Sequence, residues 1–269
     1  MPLAFSGSKE LISLIPNIRP NSDVNWQKYN RDNGTAIVAR LKLMHNMTVA
    51  IQLLHQTGKY VLRDFKPQNV LVTHSGEITV CDMDSIQIAE GHKMLFRGTA
   101  ETDDYRPPEY YNSGMGKSPT DVLKKSWDSF ALAAVYYQLL LGLHPYTGTP
   151  KIQKGVGESC LWQNIAADLF PNGKNRNKIA VIPPPHEKFK VLPQSIQELF
   201  KRSFLLDAAN RPSTDEWGNA IYEIIKSPNS LPNLKPVPPP SIPKYCDQCG
   251  EPYNKPTSKY CSSCGNERN

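Results

Sequence analysis

Asp64, Lys66 and Asn69 fall together in VLRDFKPQNVLV, and Asp82 follows in ITVCDMDS. Two carboxylates, an amide oxygen and an ammonium at one edge of a small sheet suit a phosphate substrate carrying Mg²⁺. Hard cations take oxygen ligands, and a lysine neutralises phosphate charge. A second group closes the chain as Cys246-x₂-Cys249-x₁₁-Cys261-x₂-Cys264, each pair followed by a glycine, Gly250 and Gly265. Those glycines let backbone N–H groups turn toward the sulfurs. Four thiolates in two such knuckles predict a closed, structural Zn²⁺ site with Zn–S of about 2.3 Å. A module this small buries too little surface to fold alone, so the metal would supply its folding energy. Two disulfides are the rival reading. No secretory signal is visible at MPLAFSGSKELISLIP, and reducing compartments suppress disulfides.

The elements that must position these groups follow from pattern. Leu43, Met44, Met47, Ala50, Ile51 and Leu54 recur at helical spacing, and Gly58 stops that helix. NVLV and EITVCDM are two short β-like runs joined by THSG, a hairpin that brings Asp64, Asn69 and Asp82 to one end. A long loop is expected from about Ser85 to Pro108. The apolar run Trp127–Leu143 is next, stopped by Gly142, His144 and Pro145. Residues 147–190 are rich in Gly, Pro, Asn and Lys, with a short helix expected at 161–170. Amphipathic helices fit 193–205 and 214–226. Seven of the eighteen residues 227–244 are proline, which predicts an extended spacer. The chain therefore divides into 1–226, a linker at 227–244 and a ribbon at 245–269.

These motifs resemble the C-terminal lobe of the eukaryotic-type (Hanks-type) protein kinase family. The loop H-R-D-L-K-P-x-N is matched by Leu62-Arg63-Asp64-Phe65-Lys66-Pro67-Gln68-Asn69, and D-F-G by Asp82-Met83-Asp84. A-P-E is matched by Pro107-Pro108-Glu109. Asp128 stands where the family has a buried helix-capping Asp, and Arg211 where an Arg pairs with the A-P-E Glu. The D-x-D-S variant and the zinc ribbon behind a Pro linker resemble a divergent bacterial branch. The resemblance implies a mainly α fold with a short β-hairpin, using ATP and Mg²⁺. Asp64 would accept or orient the proton of a substrate hydroxyl, and Lys66 would steady the γ-phosphate. Asn69 and Asp82 would hold Mg²⁺, and Thr102 would contact Asp64 and Lys66. Arg63 could bind a phosphate on the activation segment, with Thr99 or Ser85 as acceptor and Asp103 or Asp104 as permanent alternatives. Asp84 reads as a turn residue rather than a third metal ligand, His55 as a structural histidine and Cys81 as a small core residue.

No glycine-rich loop or strand lysine precedes the helix at 40–58. AIVAR only superficially resembles the family's V-A-I-K, and MPLAFSG resembles the hinge between lobes. The N-terminal lobe is thus expected to be absent. Three explanations stand: a shortened gene product or misassigned start, a half-kinase completed by a partner chain, or a pseudokinase scaffold. The expected function is transfer of the ATP γ-phosphoryl to a protein serine or threonine hydroxyl. The alternatives are a small-molecule phosphotransferase of similar fold and a non-catalytic scaffold whose ribbon binds a protein partner.

Composition narrows the partners. Charge counts of 31 Lys+Arg and 25 Asp+Glu give 31 − 25 = +6, spread along the chain. The ribbon sets Lys255, Lys259 and Arg268 against Asp247, Glu251 and Glu267, so nucleic acid is not the expected partner. No apolar run is long enough to span a bilayer. A cytoplasmic location is expected.

Overall fold

The computed structural model describes residues 5–16, 24–31, 36–151, 160–205 and 207–227. Met1–Pro232 forms one unit by contact, and every described residue lies in it. The linker beyond Ser227, the expected zinc ribbon with Cys246, Cys249, Cys261 and Cys264, and part of the expected hinge lie outside the described residues.

In chain order the elements are β1 (Lys9–Glu10), α1 (Ala36–Gln56), β2 (Tyr60–Val61), β3 (Val70–Val72), β4 (Ile78–Val80), β5 (Gln87–Glu90), β6 (Lys93–Phe96), α2 (Pro108–Asn112), α3 (Ser126–Leu141), β7 (Thr149–Pro150), α4 (Leu161–Ala166), β8 (Ile179–Val181), α5 (Gln194–Ser203) and α6 (Thr214–Lys226). Short 3₁₀ turns fill several of the connections.

Helix α3 is apolar on every side, and all but its first residue are buried. A helix without a polar face must be surrounded, and α3 is the axis of the core. It ends at Gly142, whose φ of 88° turns the chain in a left-handed cap. Helices α1 and α6 pack on one side of it. Tyr136 of α3 donates to the Met44 carbonyl at 2.8 Å and meets Trp217 of α6 edge-on at 5.2 Å. On the other side Tyr137 sits among Phe170, Phe189, Phe200 and Phe204. Each such ring removed from water contributes roughly 1.5–3 kcal/mol. Helix α6 starts where its sequence dictates. Ser213 accepts from the Glu216 N–H while Glu216 accepts from the Ser213 N–H, a reciprocal cap.

Arg40 of α1 is 1% exposed, yet its guanidinium donates to the carbonyls of Tyr29, Leu139 and Leu14. Burial pushes it down to about 9. The N-terminal turns are thereby tied to the far end of α3. The AIVAR stretch is the start of α1 and not a strand, in keeping with the expectation that it runs straight into the helix.

The expected hairpin is β3–β4, with Val70 opposite Val80 and Val72 opposite Ile78, and β1 adds a third antiparallel strand beside β3. Two further sheets were not expected. Residues 85–108 are not one loop: β5 and β6 form a second hairpin that pairs with β2. Thr149–Pro150 and Ile179–Val181 form a third small ladder. In the β5–β6 hairpin polarity does not track burial. Gln87 is buried because its amide donates to the Leu123 carbonyl and accepts from the Leu123 N–H, while Leu95 and Phe96 are exposed. Cys81 is half-buried rather than a core residue.

Candidate active site

The site begins at the end of α1, where the chain turns back into β2. The Asp64 N–H bonds to the Leu62 carbonyl at 2.7 Å, a three-residue turn that holds Arg63 at a φ of 63°. A non-glycine residue in that region persists only where its surroundings fix it. Here the fixing group is Asp128 at the start of α3. Its carboxylate, 1% exposed, accepts from the Leu62 N–H at 2.9 Å, the Arg63 N–H at 3.3 Å and His55 Nε2 at 2.9 Å. Trp127 Nε1 donates to the Arg63 carbonyl at 3.4 Å. His55 is thus a structural histidine with a named partner.

This turn aims Asp64 into the site. Lys66 Nζ stands 2.6 Å from Asp64 Oδ2 and 2.8 Å from Thr102 Oγ1. Asn69 Nδ2 donates to the Asp64 carbonyl at 3.0 Å and, more weakly, to Asp64 Oδ2 and Asp82 Oδ2, both at 3.4 Å. The Cys81 N–H donates to the Asn69 carbonyl at 2.9 Å, which extends the β3–β4 pairing by one step and sets Asp82 beside Asn69. Asp82 has a φ of 59° and is exposed, whereas Asp64 is 3% exposed and its Oδ1 has no partner. All five sequence-derived residues, Asp64, Lys66, Asn69, Asp82 and Thr102, therefore lie in one cluster. Asp84 is exposed in the turn Met83–Ser85.

The segment from Asp82 to Glu109 is held by its ends. Ser85 Oγ donates to the Leu62 carbonyl at 3.1 Å, and Ser85 is 2% exposed. A hydroxyl so enclosed is no acceptor for modification, so Ser85 is withdrawn from that role; Thr99 is exposed. Gly98, at φ 68°, passes so near that a Cβ would collide with the Ser85 carbonyl oxygen. At the other end Arg211 grips Glu109 with two parallel bonds of 2.7 and 2.6 Å and also donates to the Ser126 carbonyl at 3.1 Å. Tyr105 Oη donates to Gln138 Oε1 of α3 at 2.9 Å.

Sequence reasoning missed Glu101. Arg63, 3% exposed, does not pair with Asp103 or Asp104. It pairs with Glu101, which also takes Arg106 Nε at 2.9 Å, and Asp103 pairs with Arg106 instead. Burial, and next the charges of Arg97 and Arg106, push the Arg63 guanidinium down to about 10, so it remains a cation at neutral pH. The available signal was a carboxylate immediately before Thr102, and nothing local marked it as the one that would turn inward.

The cluster offers a carboxylate with a free oxygen, a cation touching it, and an exposed carboxylate beside an amide. That set can orient a hydroxyl and hold an anion with a hard cation. Among the described residues no three His, Cys, Asp or Glu side chains gather as a metal cage, and no helix is long and apolar enough to cross a membrane. Mg²⁺ needs no such cage, since it is commonly held by one or two carboxylates and the phosphates themselves.

A family model described as protein kinase domain matches residues 11–222, well over half of the chain. The chain is 31% identical over 135 residues to the 3-phosphoinositide-dependent protein kinase 1 of Arabidopsis thaliana, covering 46% of this chain and 24% of that one. It is 27% identical over 187 residues to a probable serine/threonine-protein kinase of Clostridium perfringens, covering 67% and 23%. With the serine/threonine-protein kinase PrkC of Bacillus subtilis it shares 26% over 182 residues, covering 65% and 23%. The match to each of these three relatives thus spans about a quarter of that relative's length.

Proposed function

Since the chain belongs to the protein kinase domain family, we propose that it takes part in transfer of the ATP γ-phosphoryl group to a serine or threonine hydroxyl of a protein. The observation that carries this reading is the Lys66 ammonium, 2.6 Å from Asp64 Oδ2 and 2.8 Å from Thr102 Oγ1, with Asp64 Oδ1 left unpartnered in a buried setting. An unpaired buried carboxylate oxygen is costly, and an incoming hydroxyl relieves it. Asp64 then orients that hydroxyl and takes its proton at Oδ1. Lys66 balances charge on the group being transferred, and Thr102 keeps the lysine in place. Asn69 spends its N–H bonds on Asp64 and Asp82, which leaves its oxygen for a cation.

The side chains present fit Mg²⁺–ATP. Asp82 and Asn69 supply hard oxygen donors, and they would hold the metal, which when bound neutralises phosphate charge. Phosphoryl transfer asks for positioning and charge stabilisation rather than covalent chemistry, and these residue types suffice for that. We read the cysteine quartet as a structural Zn²⁺ ribbon that recruits a protein partner. A cytoplasmic location accords with thiolate ligands in a reducing compartment.

The test is binding of a fluorescent ATP analogue to the chain with and without Mg²⁺. The expected result is binding that needs Mg²⁺ and is lost in Asp82→Ala. A folded wild-type chain that binds no nucleotide would sink the catalytic reading for this chain and favour the scaffold.

A further inference from the structure

The β3–β4 hairpin has two ends. Asn69 and Asp82 stand at one, and a cleft of about 730 Å³ opens beside the other. Helix α1, the last turns of α6, the 3₁₀ turn Val24–Tyr29 and the hairpin turn at Ser75 and Gly76 all contribute to it. On α1, Val38, Lys42 and His45 recur at steps of four and three and so share one face. Helix α6 adds Tyr222 and Ile225, and the cleft shares no residue with the Asp64 cluster.

Its walls are held by the fold itself. Tyr29, 2% exposed, donates through Oη to the His74 carbonyl at 3.3 Å, and Asn46 Nδ2 donates to the Gly76 carbonyl at 2.8 Å. Gly76 has a φ of 98°, and a Cβ there would stand 3.3 Å from Tyr29 Oη and 3.6 Å from Leu43. The turn therefore lies directly on the α1 side of the cleft, and a ligand would meet a surface whose ordering is already complete.

The charge of the cleft is one-sided. Lys28, Lys42 and His45 line it, and among the described residues no carboxylate does. The lysines that form ion pairs among those residues are Lys59, Lys66, Lys174 and Lys201, so Lys28 and Lys42 are not matched by an acid. Glu77, next to Gly76, accepts instead from the Thr73 and Ser75 hydroxyls at 3.2 and 3.0 Å. Lys28 Nζ is carried over the Tyr29 ring at 5.1 Å. Between these cations Tyr222 is 52% exposed, its ring 6.2 Å from that of His45, and Val38 and Ile225 are half-buried. A solvated face mixes charges of both signs. Apolar surface rimmed by a single sign is the composition of a recognition groove.

We propose that this cleft docks a short acidic segment of a partner protein, with an apolar side chain of that segment laid against Val38, Tyr222 and Ile225 and its carboxylates facing Lys28 and Lys42. Charge complementarity selects the occupant. Lys28, Lys42 and Tyr222 are all exposed, so the rim is open and a chain can lie across it. A free phosphate would answer the lysines and leave the apolar wall wet. The inference does not rest on the phosphotransfer reading.

The experiment pans a random peptide library displayed on phage against the intact chain, then measures the enriched peptides by fluorescence anisotropy. The expected peptides carry Asp or Glu beside Leu, Ile or Phe. Their binding should weaken roughly ten-fold in the double variant Lys28→Glu with Lys42→Glu, since two exposed pairs are lost. It should weaken several-fold in Tyr222→Ala. The matched double variant Lys93→Glu with Lys124→Glu changes net charge equally at exposed sites outside the cleft and should bind as wild type does. No enriched peptide, or enriched peptides without acidic residues, overturns the proposal. Equal weakening in the two double variants also overturns it, as attraction to net charge alone. A polyuridine probe that binds wild type and is lost in the cleft variant, with no peptide enriched, assigns the cleft to nucleic acid and overturns it too. If the cleft double variant does not fold by circular dichroism, Lys42→Gln and Tyr222→Ala carry the test, and unchanged binding in both is the refuting result.

Discussion

The pair Glu109–Arg211 joins the end of the segment to the core, and breaking it from either side should give unequal losses. The Arg211 side chain is fully buried and the Glu109 side chain is 18% exposed. Glu109→Leu leaves a guanidinium with no water to turn to, the Ser126 carbonyl as its remaining hydrogen-bond acceptor and the Phe130 ring at 5.3 Å. Removing one member of a buried pair costs about 3–5 kcal/mol. For a domain of this size each kcal/mol moves Tm by roughly 2–4 °C, so the expected fall is about 6–20 °C. Arg211→Met leaves a carboxylate that can still hydrate, so its loss should be smaller, on the order of 1–3 kcal/mol. The double variant replaces both charges with apolar groups and should recover a large part of the sum, because such replacement is often close to neutral. Urea unfolding followed by circular dichroism on the four proteins closes the cycle. Strict additivity, or single losses under about 1 kcal/mol as for an exposed pair, would refute the reasoning.

Asp128→Ala orphans two buried backbone N–H groups and His55; at about 1–3 kcal/mol per group it should be among the most damaging substitutions, read as a fall in the urea midpoint. Burial holds His144 at about 3, below the ordinary 6.5, and its Nδ1 accepts from the Tyr146 N–H at 3.3 Å, which it does only when unprotonated there. The folded state thus binds fewer protons than the unfolded one, so stability is full above about pH 6.5 and falls as pH drops toward 3. The loss should reach about 2 kcal/mol at about pH 5. His186, also lowered by burial, adds in the same direction, so His144→Gln should flatten the slope only in part. Gly98→Ala drives a Cβ into the Ser85 carbonyl and should cost about 1–3 kcal/mol while raising proteolysis between Arg97 and Arg106. Metal analysis should find one Zn²⁺ per chain, lost in Cys249→Ser; a zinc-free chain with no change on reduction would refute both the zinc and the disulfide readings.

Much of the cluster was legible because its spacing is local. Asp64, Lys66 and Asn69 lie in one turn, and a hairpin of alternating apolar residues can only return Asp82 to the same end. Helix limits were readable where a stop signal marks them, as at Gly142. The second hairpin was hidden for a physical reason. Its inward residues are only Ala89 and the polar Gln87, which the backbone of Leu123 satisfies, while Leu95 and Phe96 are exposed, so polarity is a poor guide. The partner of Arg63 was hidden for another. Glu101, Asp103 and Asp104 are equivalent in type, and only the extended backbone at Thr102 decides which carboxylate faces the arginine. Nothing local marks Arg40 as a core residue; it is buried because three distant carbonyls converge on it.

The opening turn of α3 carries two loads. Through Asp128 it supports the turn that aims Asp64, and through the Ser126 carbonyl it meets Arg211, which anchors the far end of the segment bearing Thr102. Both jaws of the site are therefore bolted to a common footing sunk in the middle of the core. Heat or denaturant cannot loosen one jaw and spare the other without first lifting that footing, so the alignment of Asp64 with Thr102 should vanish in the same transition that dissolves the interior.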